Sequence, residues 1–154
     1  MSTSKQLADR FREVMLNGTW IANTNYQAQL KDLTWQQAIA KVHSYNTIAL
    51  LTFHINYYVE GVLRVLQGGE LTIRDQFSFD GPELNCEEDW QTLKNNLLSN
   101  SEAFAKEVEQ LTNEQLQQSF VKEAYGTYQR NIEGMIEHCY YHLGQVSLVR
   151  KTIL

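Results

Sequence analysis

Asn85–Leu111, NCEEDWQTLKNNLLSNSEAFAKEVEQL, is the stretch that decides the fold. Trp90, Leu93, Leu97, Phe104, Val108 and Leu111 follow one another at intervals of 3, 4, 7, 4 and 3 residues. That spacing returns to one side of an α-helix, so it predicts a helix with a single apolar stripe running to about Gln110. Asn85, followed three residues later by Glu88, reads as its capping box. A stripe of this length stays dry only against other helices.

The rest of the chain supplies them. Downstream, Thr112 and Gln115 form a second box that starts a short turn, and Phe120–Gly126 reads as a crossing segment. Thr127 then caps a last helix that turns Ile132, Ile136, Cys139, Leu143, Val146 and Ile153 towards the core. Upstream, Glu70–Leu84 contains Gly81-Pro82 and reads as a long loop, a kind of segment that often walls a pocket. Before it, Thr34 with Gln37 is a third box, and the spacing predicts one long helix from there to Gln67, ended by Gly68-Gly69. Its middle, Ile48–Val59, is apolar on most sides and belongs among other helices. Ser4 is the predicted cap of a first helix carrying Leu7, Phe11, Val14 and Met15, with Asn17-Gly18 as its stop. Thr19–Leu33 has no clean period and reads as a connector. Four amphipathic helices with longer connections predict an all-α, up-and-down-like four-helix bundle, one domain over residues 1–154.

Composition agrees. The chain is 43% hydrophobic and 20% charged with a single proline, which suits a helical globular protein. Its net charge of −5 leaves no surplus of Lys and Arg to neutralise phosphates, so a nucleic-acid binder is not expected. Two cysteines, Cys86 and Cys139, make no disulfide framework. No apolar run reaches the roughly 20 residues needed to cross a bilayer. The start, Met1–Lys5, lacks the apolar region of a signal peptide, so the expectation is a cytoplasmic protein without membrane contact.

The last helix carries the chemistry. His138 and His142 stand four apart, about 40° from each other around the helix, so both imidazoles reach one point. Asn131, Gly134, Gln145 and Val149 share that side. On the second helix, His54 shares a side with Thr47, Leu50, Tyr58 and Gly61. A glycine near each histidine predicts open volume. A third imidazole facing such a pair gives three neutral nitrogen donors, the usual catalytic set for Zn²⁺ and one that suits Ni²⁺ or Fe²⁺. Taken singly, His54 reads as a satisfied core histidine and the pair as chance spacing; together they point to a site. His43 lies about 16 Å from His54 along a continuous helix and reads as a surface or packing residue. Glu137 precedes His138 where a zincin needs Glu directly after its first His. Cys139 lies off the metal face, with a fourth-ligand role left open. Tyr57, Tyr58, Tyr140 and Tyr141 read as packing residues, with a hydroxyl or two lining the cavity. The Glu102–Glu109 stretch reads as a solvated face.

Thr52-Phe53-His54-Ile55 in mid-helix, with His138-x-x-x-His142-Leu143-Gly144-Gln145 on the last helix, resembles the DinB-like superfamily over nearly the whole chain. The resemblance implies a four-helix bundle holding one divalent ion, Ni²⁺ or Zn²⁺, on His54, His138 and His142. It also implies a homodimer and a small-molecule substrate, with a low-molecular-weight thiol such as bacillithiol or mycothiol among the options. Relatives include thiol-dependent transferases, a thiol-dependent isomerase and proteins described as metal-dependent hydrolases. The function read from all this is a thiol-dependent S-transferase or a hydrolase, in which an open metal position binds and deprotonates a thiol or water. Asn131, Gln145 and Tyr58 are the candidates to orient the substrate. No carboxylate falls on the metal face, which tips the reading towards thiol transfer. The alternative is a non-catalytic bundle, with or without metal, that serves binding or stress-related interaction.

Overall fold

A computed structural model describes residues 2–154; Met1, the first residue of the predicted domain and of the Met1–Lys5 start, lies outside them. The helices are α1 (Thr3–Arg12), α2 (Tyr26–Leu30), α3 (Trp35–Ala38), α4 (Ile48–Leu66), α5 (Glu87–Gln110), α6 (Asn113–Gln117) and α7 (Tyr128–Ile153). A π-helical turn, Glu13–Asn17, prolongs α1, and 3₁₀ turns form at Asp75–Phe77 and Glu123–Tyr125. Among the described residues there is no strand, only an isolated antiparallel bridge between Ser119 and Thr127. The protein is all-helical.

Most helix starts obey their side chains. The boxes at Thr34/Gln37 and Thr112/Gln115 both close, and the Thr127 hydroxyl accepts the Arg130 N–H. Ser2 rather than Ser4 caps α1, and Ser4 is buried inside its first turn. At α5 the expected Asn85 cap shifts by one. Cys86 takes the cap position without a side-chain bond, because the Asp89 carboxylate accepts the Asn85 N–H at 2.8 Å instead.

The predicted long second helix is broken. Residues 39–46 leave the helix, His43 adopts φ 50°, and Thr47 starts α4 by accepting the Leu50 N–H at 3.1 Å. The reason is competition: the Thr47 hydroxyl offers the chain a new N-terminus, while the side chains of residues 39–46 are exposed or only partly buried and give a continued helix little to pack against. α3 is instead tied to α5, with the Trp35 N–H donating to Glu87 Oε2 at 2.9 Å.

Packing places α5 against α1 and α4, and α7 against α4 and α1. Phe11 and Phe104 meet with ring centroids 4.3 Å apart at the α1–α5 contact. Each such fully buried side chain contributes about 1.5–3 kcal/mol. The connector is pinned by polar anchors inside the core. The Trp90 indole N–H donates to the Leu33 carbonyl at 2.8 Å, and the Tyr26 hydroxyl donates to the Cys139 carbonyl at 3.1 Å. The Glu102–Glu109 face is not wholly given to solvent, since Glu109 pairs with Arg12 at 3.0 Å and Lys5 at 3.2 Å. Such partly exposed pairs contribute at most about 1 kcal/mol each, so apolar burial dominates. Among the described residues, no helix is long and apolar enough to cross a membrane.

Candidate metal centre

His54 comes from the middle of α4, and His138 and His142 from successive turns of α7. Their nearest ring nitrogens all lie within 4.8 Å of one another. His54 Nε2 and His138 Nε2 are 3.2 Å apart. His54 and His142 are buried and His138 is half-buried, so the cluster sits just beneath the surface. His43 is exposed and takes no part.

Each side has its own brace. His54 Nδ1–H donates to the Ser78 carbonyl at 3.1 Å, which leaves Nε2 as a bare lone pair facing the other two rings. Phe79 stacks on the same ring, centroids 3.9 Å apart and planes 9° from parallel. His142 Nδ1–H donates to Gln145 Oε1 at 2.6 Å, with the same consequence for its Nε2. The 70–84 loop thus walls the site, as its length suggested.

The rings are kept neutral. Burial first, and then Coulombic repulsion from His142 and His54 against a second positive charge in the cluster, pushes His138 down from 6.5 to about 4. Burial also lowers His54 against the pull of the Ser78 carbonyl, and lowers His142 against that of Gln145. Ligation requires neutral imidazoles whose outer N–H is tied to an acceptor, and two of the three already meet both conditions. The donor set therefore fits a divalent ion. The family model of the DinB superfamily matches residues 23–146, a span containing all three histidines.

The chain belongs to the DinB superfamily. Neither a curated protein nor a solved structure gives a significant match.

Around this DinB cluster the other expected residues divide. Tyr58 and Asn131 line a cleft of about 330 Å³ beside His138, together with Tyr125, Arg130 and Gly134. Gln145 does not join them. It braces His142 and borders a separate hollow with Tyr45 and Leu148. Gly134 has open space where a Cβ would stand, so the expected volume is there. At Gly61 it is not: a Cβ would come within 2.6 Å of the Ile73 side chain, and the loop fills the room.

Cys139 is fully buried, and burial pushes its thiol far up, so it points into the core as a neutral packing group. Among the tyrosines, Tyr140 donates to Glu13 Oε1 at 3.1 Å, and Tyr141 is exposed with its ring edge-on to His142.

Asp75, Ser78 and Phe79 escaped the sequence reading. The Tyr58 hydroxyl donates to Asp75 Oδ1 at 2.8 Å, while the Tyr58 ring stands edge-on to both His54 and His138 at 5.2 Å. A carboxylate is therefore one side chain away from the cluster. Helical wheels cannot find it, because it arrives on a loop.

Proposed function

We propose that this chain is a single DinB-like domain over residues 1–154 whose long helices form an up-and-down-like four-helix bundle. It holds one divalent ion, Ni²⁺ or Zn²⁺, on His54, His138 and His142, and acts as a thiol-dependent S-transferase or hydrolase on a small molecule. It works as a cytoplasmic homodimer without nucleic acid or membrane partners. The observation that carries the reading is the convergence of three neutral imidazoles, two of them oriented by bonds at Nδ1.

A divalent ion in such a set supplies Lewis acidity, which lowers the pKa of a thiol or water by several units. The chain's own residues do the rest. Ser78 and Gln145 fix ring orientation, so the lone pairs are aimed before any ligand arrives. Tyr58 has its proton committed to Asp75 Oδ1, which leaves its oxygen to accept a hydrogen bond from an S–H or O–H group in the cleft. A proton moved onto that oxygen has Asp75 as its exit. This carboxylate removes the objection to hydrolysis that the helix faces raised, so thiol transfer and hydrolysis now stand level.

Metal analysis after growth with trace Ni²⁺ and Zn²⁺ should find about one ion per chain. Loaded protein given a panel of thiols and electrophiles should form adducts, or hydrolyse activated esters and amides, and His138→Ala should do neither. Loading with no turnover on either panel would favour the non-catalytic alternative. Absence of loading would end the metal reading.

A further inference from the structure

The cleft beside His138 has a chemistry of its own. One wall is Arg130, whose Nη1 pairs with Glu137 at 3.2 Å. Among the described residues, its Nε and Nη2 have no partner. Both groups of that ion pair are well exposed, so the pair is weak and the guanidinium remains available to a second acid. A further cation lies close: Lys122 Nζ sits 4.5 Å above the ring of Tyr125, which also lines the cleft.

Asn131 adds a fixed acceptor. Its Nδ2 donates to the carbonyls of Tyr125 and Thr127, each at 2.8 Å, which settles the amide's orientation and leaves Oδ1 without a protein donor. Val62 and Met135 provide apolar lining, and the missing side chain of Gly134 leaves space between these groups. One cleft is thus lined by a cation, an acceptor, an apolar surface and His138, the half-buried member of the histidine cluster.

We propose that this cleft binds a substrate carboxylate on Arg130, with Gly134 keeping room for the carbon skeleton that reaches from Arg130 to the cluster. A planar two-oxygen acid matches the free Nε/Nη2 edge of a guanidinium. A monoanion suits the site better than a phosphate dianion, because Glu137 stays beside the guanidinium. The substrate class is thus a small carboxylic acid bearing a thiol, or another group for the cluster, a few bonds from the acid. The proposal rests on the reading above in one respect, that the ligand's far end faces the three histidines.

The test uses the full chain, metal-free and Ni²⁺-loaded, with 3-mercaptopropionate and its uncharged counterpart 3-mercaptopropionamide. NMR titration follows the backbone amides of α7 and the Asn131 side chain. The acid should bind metal-free protein roughly five- to tenfold more tightly than the amide, the range expected for a charge-assisted contact near the surface. Arg130→Gln should abolish the difference at unchanged Tm. Gly134→Leu should weaken both ligands while Tm holds or rises, since Leu favours helix over Gly.

Equal affinity for acid and amide, a preference that survives Arg130→Gln, or inorganic phosphate displacing the acid at equal concentration would overturn the proposal. Acid preference in a protein that takes up no Ni²⁺ supports the cleft while defeating the metal reading. Uptake of Ni²⁺ with no acid preference does the reverse.

Discussion

The two sides of the histidine cluster are built differently. On the α7 side, His142 is oriented by Gln145, three residues away on the same helix, so ligand and brace share one rigid element. On the α4 side, His54 is held by Ser78 and Phe79, which are about 24 residues distant in sequence and lie on a connection with only one 3₁₀ turn. The first side is set by local helix geometry. The second exists only after the loop has folded over α4. Local bracing makes an arm that forms with its helix; remote bracing makes one that can be loosened separately.

The largest effect expected is from removing a ring on either side. His54→Ala and His142→Ala should each abolish high-affinity metal uptake by equilibrium dialysis, whereas His43→Ala should leave it unchanged. Retention by one of the two would break the symmetry of the cluster. Next comes Gln145→Leu, which strips the local brace and should cost about 10–100-fold in metal affinity, with little change in Tm. Phe79→Ala removes only the stacking partner on the remote side. It should cost about 0.5–1.5 kcal/mol of stability and speed amide exchange in the 70–84 loop but not in α7. Faster exchange in both places would mean the two sides are not independent.

A separate effect is set by pH. His138 has its folded pKa depressed from 6.5 to about 4, so the unfolded chain binds the proton that the folded one refuses. Metal-free protein should therefore keep this stability above about pH 6.5 and lose it as pH falls towards 4, read as a falling urea midpoint. An invariant midpoint across that range would show that the ring is already solvated in the fold.

The same division decides what the sequence revealed. Trp90 to Leu111 announced α5 by period alone, and the Thr112 and Thr127 caps were read correctly because their bonds close within one turn. The three histidines were found because two lie on one helix and the third stood in an unusually apolar stretch. The break at residues 39–46 was missed because neither Gly nor Pro marks it; it depends on Thr47 competing as a cap and on Glu87 receiving the Trp35 N–H from far along the chain. Asp75, Ser78, Phe79 and Ile73 were missed for a related reason. They reach α4 through the path of a loop, and no helical period encodes that path.

Cys139 shows what the back of the same helix can report. It stands next to His138 in sequence but is sealed in the core, while Cys86 is exposed at the start of α5. A thiol reagent therefore meets two clocks in one chain. Cys86 runs at the intrinsic rate of an exposed thiol, and Cys139 runs only when α7 lifts away from its neighbours, so the ratio of the two labelling rates measures how often the histidine-bearing helix comes loose.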